Sequence, residues 1–342
     1  MSALLCRACG STNVALRGRK TGGFVRREFE FHGCRDCGWM FVEPFSGFEI
    51  YNDAYYRGEG PDPYVDYESE YRDWRRSDRL LEFEDLVRIA ATHVAGGLQG
   101  EGGREKGEGS INSAPSPALP RPAPSSLLPT PDAQRPGAAA PELRWLDFGC
   151  GAGAFLKFLR DRGALHGHPL ELTGHDVGSY ADLLQTKDGF RILDLVELSR
   201  EPAASFDVIS LIEVLEHLPS PLEPLQLVAR LLQPGGLLLL TTGNLDSPVA
   251  RRQGIHYRYC APEIHVSLFN PPCLAQLYRR VGLEPYPVRY HGAVQFKVLK
   301  TLRHHRVLRA LAALALRFPP LVRVVDHLYG VSAMPCAVKP PA

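Results

Sequence analysis

From Glu142 onward, short apolar runs alternate with stretches whose apolar residues recur every three or four positions. This is the pattern of buried strands and amphipathic helices arranged as β/α units around a parallel sheet. Strands are expected near 143–148, 171–176, 190–194, 206–211, 236–242 and 284–290, and helices over 153–162, 179–186, 221–232 and 271–281. Pro234-Gly235-Gly236 is expected to turn the chain from the last long helix into the strand "LLLLTT". Residues 296–328 read as mainly helical, and "SAMPCAVKP" as one further strand.

Before Glu142 the pattern breaks. Residues 96–141 change from glycine-rich and charged to proline-rich, with too little apolar surface to offset the entropy of ordering them. A disordered linker or surface insertion is expected there. The chain thus divides into a cysteine-bearing segment at 1–45, an aromatic and acidic helical segment at 46–95, the linker at 96–141, a main domain at 142–295 and a helical end with a last strand at 296–342.

Composition narrows the class only a little. The 342 residues suffice for two domains, or one large domain with appendages. A 44% hydrophobic and 23% charged share is that of an ordinary soluble globular chain, and the net charge of +1 gives no global pull toward nucleic acid or membrane. Because no apolar run approaches the roughly 18 residues of a membrane span, and no long apolar stretch precedes Arg7, a cytoplasmic protein is expected.

The stretch "WLDFGCGAGAFL" at 145–156 carries the first chemistry: a buried strand, an acid near its end, then glycines opening a helix. Glycines at this spacing let the backbone turn tightly and a ligand approach it. Gly149-x-Gly151-x-x-Ala154 satisfies a loose dinucleotide fingerprint, with Asp176 as its ribose acid. Asp147-x-Gly149-x-Gly151-x-Gly153 instead resembles the first motif of class I S-adenosylmethionine-dependent methyltransferases. "FDVISLIEVLEHLPSP", the Pro-Gly-Gly turn and the strand after it follow in that family's order, so the resemblance covers roughly 143–290. It implies methyl transfer. It also implies that the loop holds the cofactor's amino-acid end, with Asp147 orienting loop or amino group, Asp176 on the ribose hydroxyls and Asp194 near the adenine.

Transfer from a sulfonium rests largely on alignment, with a base for the acceptor where one is needed. His217, closing "EVLEH", and His265, in "PEIHVSLF", are the candidates, and an ordinary imidazole titrates near neutrality. His265-x-x-x-Phe269 resembles the family's H-x-x-x-F segment. Sugar C-methyltransferases with a cysteine-rich amino terminus carry a Glu-His base pair near this point, whereas here Ile264 separates Glu263 from His265. Glu213-x-x-Glu216-His217 with the later His265 also resembles the divalent-metal site of small-RNA 2′-O-methyltransferases and ubiquinone-pathway O-methyltransferases. The plainer reading, preferred on the sequence, is that Glu216 and His217 brace the loop after their strand.

Cys6-x-x-Cys9 and Cys34-x-x-Cys37, each followed by glycine, form two thiolate knuckles suited to one structural Zn²⁺ in a zinc ribbon. Methyltransferases resembling this chain pair such a knuckle with tyrosine-bearing helices over the cofactor, which implies that 46–95 is a helical lid containing Tyr51, Tyr55 and Tyr56. Residues 297–325 hold seven basic residues and no acid. They are expected to form a helical cover over the substrate pocket, with a basic amphipathic helix against a membrane or an acidic substrate as the other reading.

The expectation is therefore an α/β fold with a class I methyltransferase Rossmann-like sheet and helices on both faces, plus the amino-terminal zinc ribbon and the disordered insertion. Its cofactors would be S-adenosylmethionine and structural Zn²⁺. The expected acceptor is a small molecule such as a nucleotide-sugar or secondary metabolite, methylated at O, N or C, and nucleic acid is not the expected partner. Two alternatives stand beside this reading. One is a non-catalytic protein that holds the cofactor without turnover, and the other is a metal-assisted O-methyltransferase using Glu213, Glu216, His217 and His265.

Overall fold

The computed structural model describes residues 4–62, 66–77, 79–98, 140–302 and 305–341. The linker expected at 96–141 lies outside the described residues except at its ends. Two sheets organise the chain. The small one contains β1 (Val14–Thr21), β2 (Glu28–Cys34) and β3 (Met40–Glu43), all antiparallel. Helices α1 (Asp53–Tyr56), α2 (Tyr67–Arg72) and α3 (Leu80–Leu98) follow.

The large sheet begins at β4 (Leu143–Phe148), which leads into α4 (Ala154–Arg162). A short hairpin joins β5 (Ala164–Leu165) to β6 (His168–His175), then come α5 (Tyr180–Thr186), β7 (Arg191–Leu193), α6 (Leu195–Arg200) and β8 (Phe206–Ile212). The chain continues through α7 (Leu222–Leu231), β9 (Leu232–Thr241), α8 (Pro248–Gln253), β10 (Ser267–Leu268), α9 (Pro271–Arg280) and β11 (Glu284–Tyr286). It ends with α10 (Gly292–Thr301), α11 (Arg306–Ala315), α12 (Pro319–Tyr329) and β12 (Cys336–Val338). Across the sheet the order is β7, β6, β4, β8, β9, β12, β11, parallel from β7 to β9 and antiparallel at β12 and β11.

Alternation along the central strands builds two cores. Leu146, Ile209, Leu211, Leu238 and Leu240 point to one face with Leu225 and Val228 of α7 and Leu274 and Leu277 of α9. Leu143, Trp145, Val208, Leu237 and Leu239 point to the other, with Leu86 and Ala90 of α3 and Phe155 and Leu159 of α4. A period of two thus feeds helices on both sides.

Three expectations need correction. Strand β9 starts at Leu232, so Pro234-Gly235-Gly236 is a bulge inside it rather than a turn before it; Leu232 pairs with Phe206 and Leu237 with Val208. Helix α3 is no part of a lid, because Leu86 and Ala90 are fully buried against the sheet. The cysteine segment is not a separate unit either. Cys6, Cys34, Trp39 and Phe41 share one core with α7 and α9, and β3 pairs with β10 of the main domain.

Candidate active site

In open α/β sheets ligands sit beyond the carboxyl ends of the parallel strands, and the candidate residues gather there. The loop after β4 places Gly149, Gly151 and Gly153 at φ of 79°, 53° and 75°, a region that L side chains rarely adopt. A Cβ on Gly153 would stand 2.3 Å from Leu184 Cδ2, and one on Gly149 2.5 Å from Val214 Cγ2. The loop therefore needs glycine for both conformation and space. Asp176, just past β6, accepts from the Gly151 and Gly178 amides at 2.7 Å each, fixing the loop over the start of α4.

Asp147 is buried, with Ser210 donating to its Oδ1 at 2.7 Å and Trp145 Nε1 donating to Ser210. Burial pushes its carboxyl up to about 7, against the pull of the Ser210 hydroxyl. An approaching ammonium group would reverse that shift. Asp194 is elsewhere. It is exposed and caps α6 in a reciprocal capping box with Glu197, and it does not line the cavity beside the glycine loop. The adenine role implied for it finds no support in that position.

That cavity measures about 410 Å³, a volume that suits a small ligand. Asp147, Gly149 and Gly151 line one side of it and Glu213, His217 and His265 another. Tyr55 and Tyr67 come from the 51–72 segment, and Tyr67 rests against Gly151. Tyr51 reaches His217 Nδ1 at 2.9 Å, while Tyr56 stacks on Tyr67. The tyrosine segment therefore lies over the glycine loop. No described residue beyond His265 lines this cavity, so the helical end does not form the substrate cover expected of it.

Behind the cavity wall, Glu216 is fully buried; it accepts from Thr242 at 3.0 Å and from the Tyr259 hydroxyl. Burial and the neighbouring Glu213 raise its carboxyl to about 8. Glu213 holds a left-handed backbone at φ 54° and accepts from Tyr259 at 3.3 Å. His217 Nδ1 lies 3.0 Å from the Ile264 carbonyl and His265 Nδ1 2.7 Å from the Tyr259 carbonyl. A carbonyl only accepts, so His265 Nδ1 carries the proton and its Nε2 lone pair stays available, whereas His217 Nδ1 sits between the Ile264 carbonyl and the Tyr51 hydroxyl, which can donate to it. One donor atom each from Glu216, His217 and His265 lies within 4.8 Å of the others.

The surroundings of the two imidazoles bear on the base role expected of them. Burial, then His217, lowers His265 to about 3, and burial also lowers His217. Neither imidazole has the near-neutral basicity expected of it. Neutral imidazoles whose far nitrogens are tied to carbonyls are instead arranged as metal ligands are. Glu263 is no base either, since its carboxylate accepts from the Gly23, Phe24 and Val25 amides. Tyr259, Thr242, Ser210 and Tyr67 were not singled out from the sequence. Of these only the "YRY" of Tyr257–Tyr259 stands out, and it lies in an unpatterned connection.

At the ribbon, Cys6 and Cys37 sulfurs lie 3.6 Å apart and those of Cys9 and Cys34 3.5 Å, with all four within 4.8 Å of one another. A Zn–S bond of about 2.3 Å in a tetrahedron spaces sulfurs by about 3.8 Å, so the cage fits zinc. Gly10 and Gly38, both at positive φ, close the two knuckles by donating to the Cys6 and Cys34 carbonyls.

A family model described as "Methyltransferase domain" matches residues 114–288. The chain belongs to this methyltransferase-domain family. Among curated relatives, it is 33% identical to a ubiquinone biosynthesis O-methyltransferase of Pseudomonas aeruginosa over 119 residues, 32% of this chain and 48% of that protein. It is 29% identical to the enzyme of that name from Saccharophagus degradans over 161 residues, 43% of this chain and 66% of that protein. For most of these relatives the matched part spans about half of their length. Among solved structures, a 1,6-didemethyltoxoflavin-N1-methyltransferase of Burkholderia thailandensis, bound to S-adenosylhomocysteine, is 21% identical at a TM-score of 0.31. The comparison covers 42% of this chain and 62% of that one. A SAM-dependent methyltransferase of Methanosarcina mazei is 18% identical at a TM-score of 0.33, covering 43% and 82%. Beside the matched domain the chain carries the cysteine cage, packed against α7 and α9, and the tyrosine segment, which lies over the glycine loop.

Proposed function

We propose that this protein transfers a methyl group from S-adenosylmethionine to an oxygen of a small molecule, assisted by a divalent cation. One observation carries the reading: the glycine loop and the His217–His265 pair line the same cavity, and one ligand atom each from Glu216, His217 and His265 lies within 4.8 Å of the others. The name shared by the curated relatives, ubiquinone biosynthesis O-methyltransferase, supports oxygen as the acceptor atom.

Each residue then has a task. The loop amides and the amino end of α4 favour the cofactor's carboxylate. Asp147 answers its ammonium group, and Asp176 holds the loop and has lone pairs left for ribose hydroxyls. Glu216, His217 and His265 would hold the cation, with Glu213 beside them and Tyr259 linking the two carboxylates. Such a cation, when bound, supplies Lewis-acid polarisation of an acceptor hydroxyl. Tyr55 and Tyr67 exclude water, and alignment of the reactants provides much of the rate. A structural zinc held by Cys6, Cys9, Cys34 and Cys37 completes the proposal.

The test is incubation with methyl-labelled S-adenosylmethionine and a panel of small hydroxyl compounds, with and without Mg²⁺ or Mn²⁺. Labelled methyl ethers that form only with the cation are expected. Gly151→Arg should remove cofactor binding in calorimetry, because it fills the space between the loop and Tyr67. Unchanged affinity in that variant overturns the cofactor site, and chelator-insensitive turnover overturns the metal assistance.

A further inference from the structure

Helices α11 and α12 turn apolar side chains outward. Val307, Leu311 and Leu314 follow an i, i+4, i+7 spacing on α11, and Val307 is 73% exposed. Leu321, Val324 and Leu328 follow i, i+3, i+7 on α12, and Phe318 between the helices is 65% exposed. Among the described residues, Leu316 and Val322, with the partly buried Val325, pack this hairpin against the core. A monomer rarely leaves so much aliphatic surface in water without a partner for it.

Charge identifies the partner. Seven basic residues and no acid occupy 297–325, and Arg317 and Arg323 are exposed. The acid that follows, Asp326, is turned inward and accepts from the Ser332 amide at 2.9 Å. A cavity of about 890 Å³ beside α12 is lined by Arg289, His291, Arg323 and Asp326, a set with cationic excess. A second copy in a two-fold contact would set this cationic surface against itself. Residues 99–139 of the same chain carry four acids and four bases, so they offer no complementary charge. A bilayer with anionic headgroups matches both properties, apolar side chains into the acyl boundary and arginines at the phosphates.

We propose that α11 and α12 form a docking surface for an anionic lipid bilayer, on which the protein lies without crossing it. Ten residues of helix extend only about 15 Å, and no helix among the described residues is long and apolar enough to span a membrane. The inference does not depend on the methyl-transfer reading, because it concerns a face remote in sequence from every residue given a role in that reaction.

Flotation of the full chain with phosphatidylglycerol–phosphatidylcholine vesicles tests it, compared with phosphatidylcholine vesicles and with high salt. Binding is expected only to the anionic vesicles and should weaken with salt. Each of Arg317→Gln and Arg323→Gln should reduce it roughly fivefold. Leu311→Glu combined with Leu328→Glu should remove it, while the melting temperature stays unchanged because both side chains are exposed. Lack of binding to anionic vesicles, equal binding to neutral ones, or indifference to all these substitutions overturns the proposal. So does light scattering that finds a dimer which Leu311→Glu dissociates, or vesicle binding that appears only when 99–139 is deleted.

Discussion

Glu263 Oε1 accepts the Val25 amide at 2.6 Å, joining the turn of the β1–β2 hairpin to the segment that carries His265 two residues later. The same carboxylate takes the Gly23 and Phe24 amides at 3.1 and 2.8 Å, and Lys20 donates to the Cys260 carbonyl nearby at 2.7 Å. A buried carboxylate thus fixes the distance between ribbon and cavity. Glu263→Ala should destabilise the protein by about 1.5–3 kcal/mol, the usual worth of hydrogen bonds to a charged group. Chemical denaturation measures this. A loss below about 0.5 kcal/mol would show that the turn does not depend on the carboxylate.

The ribbon's place in the core decides what loss of zinc does. Purified protein is expected to contain about one zinc per chain, and Cys34→Ser to lose it. Because Trp39 and Phe41 pack in the same core as Leu274 and Leu277, the whole chain should then melt earlier in a single transition. Metal analysis with calorimetry checks both points. An unchanged main transition in Cys34→Ser would mean that the ribbon unfolds by itself.

Much of this was legible in the sequence, and the exceptions have physical causes. Strands β4 and β8 sit where their apolar runs place them, because parallel strands buried on both faces leave continuous hydrophobic stretches. The glycine loop was legible because three positive-φ positions demand glycine. Helix α3 was not legible as a core element because acids interrupt its buried stripe, and their partners lie outside the local pattern: Arg79 for Glu82 at 2.8 Å, and the His291 and Ala293 amides for Asp85 at 2.7 and 3.0 Å. The low basicity of His265 had no local signal. It arises from burial and then from His217, against the opposing pull of the Tyr259 carbonyl, and the chain brings these together only on folding. Glu263 was noticed, yet its partners lie some 240 positions earlier.

Asp147 makes a prediction about pH. Its folded-state value of about 7 lies above that of an unfolded aspartate, so between about pH 4 and 7 the unfolded chain ionises this group and the folded chain does not. Its contribution to stability therefore falls as pH rises through that window, by an amount of the order of 4 kcal/mol. Asp147→Asn removes the titration and should gain stability relative to wild type at pH 8 compared with pH 5. It should also weaken S-adenosylmethionine, because the amide offers no charge to an ammonium group. Urea unfolding at both pH values, with calorimetry at pH 8, measures the two effects. A stability difference that does not change with pH would contradict the buried-carboxyl assignment.

Glu216 and His265 make the prediction that separates a metal centre from a structural brace. Without a cation, burial and the nearby Glu213 hold the Glu216 carboxyl at about 8, so at pH 7 it is largely protonated. His265, lowered to about 3, is already a free donor throughout the physiological range. Binding of a divalent cation must then release one proton, from Glu216. Between pH 6 and about 8 the Kd for Mn²⁺ should fall by about tenfold per pH unit, then level off once the carboxylate is ionised in the free protein. Glu216→Gln should bind weakly with no such slope, and His265→Ala should weaken binding while keeping it. Calorimetry in two buffers of different ionisation enthalpy counts the released proton directly. A Kd independent of pH, or Mn²⁺ affinity untouched by both substitutions, would leave Glu216 and His217 as a brace for the loop after β8.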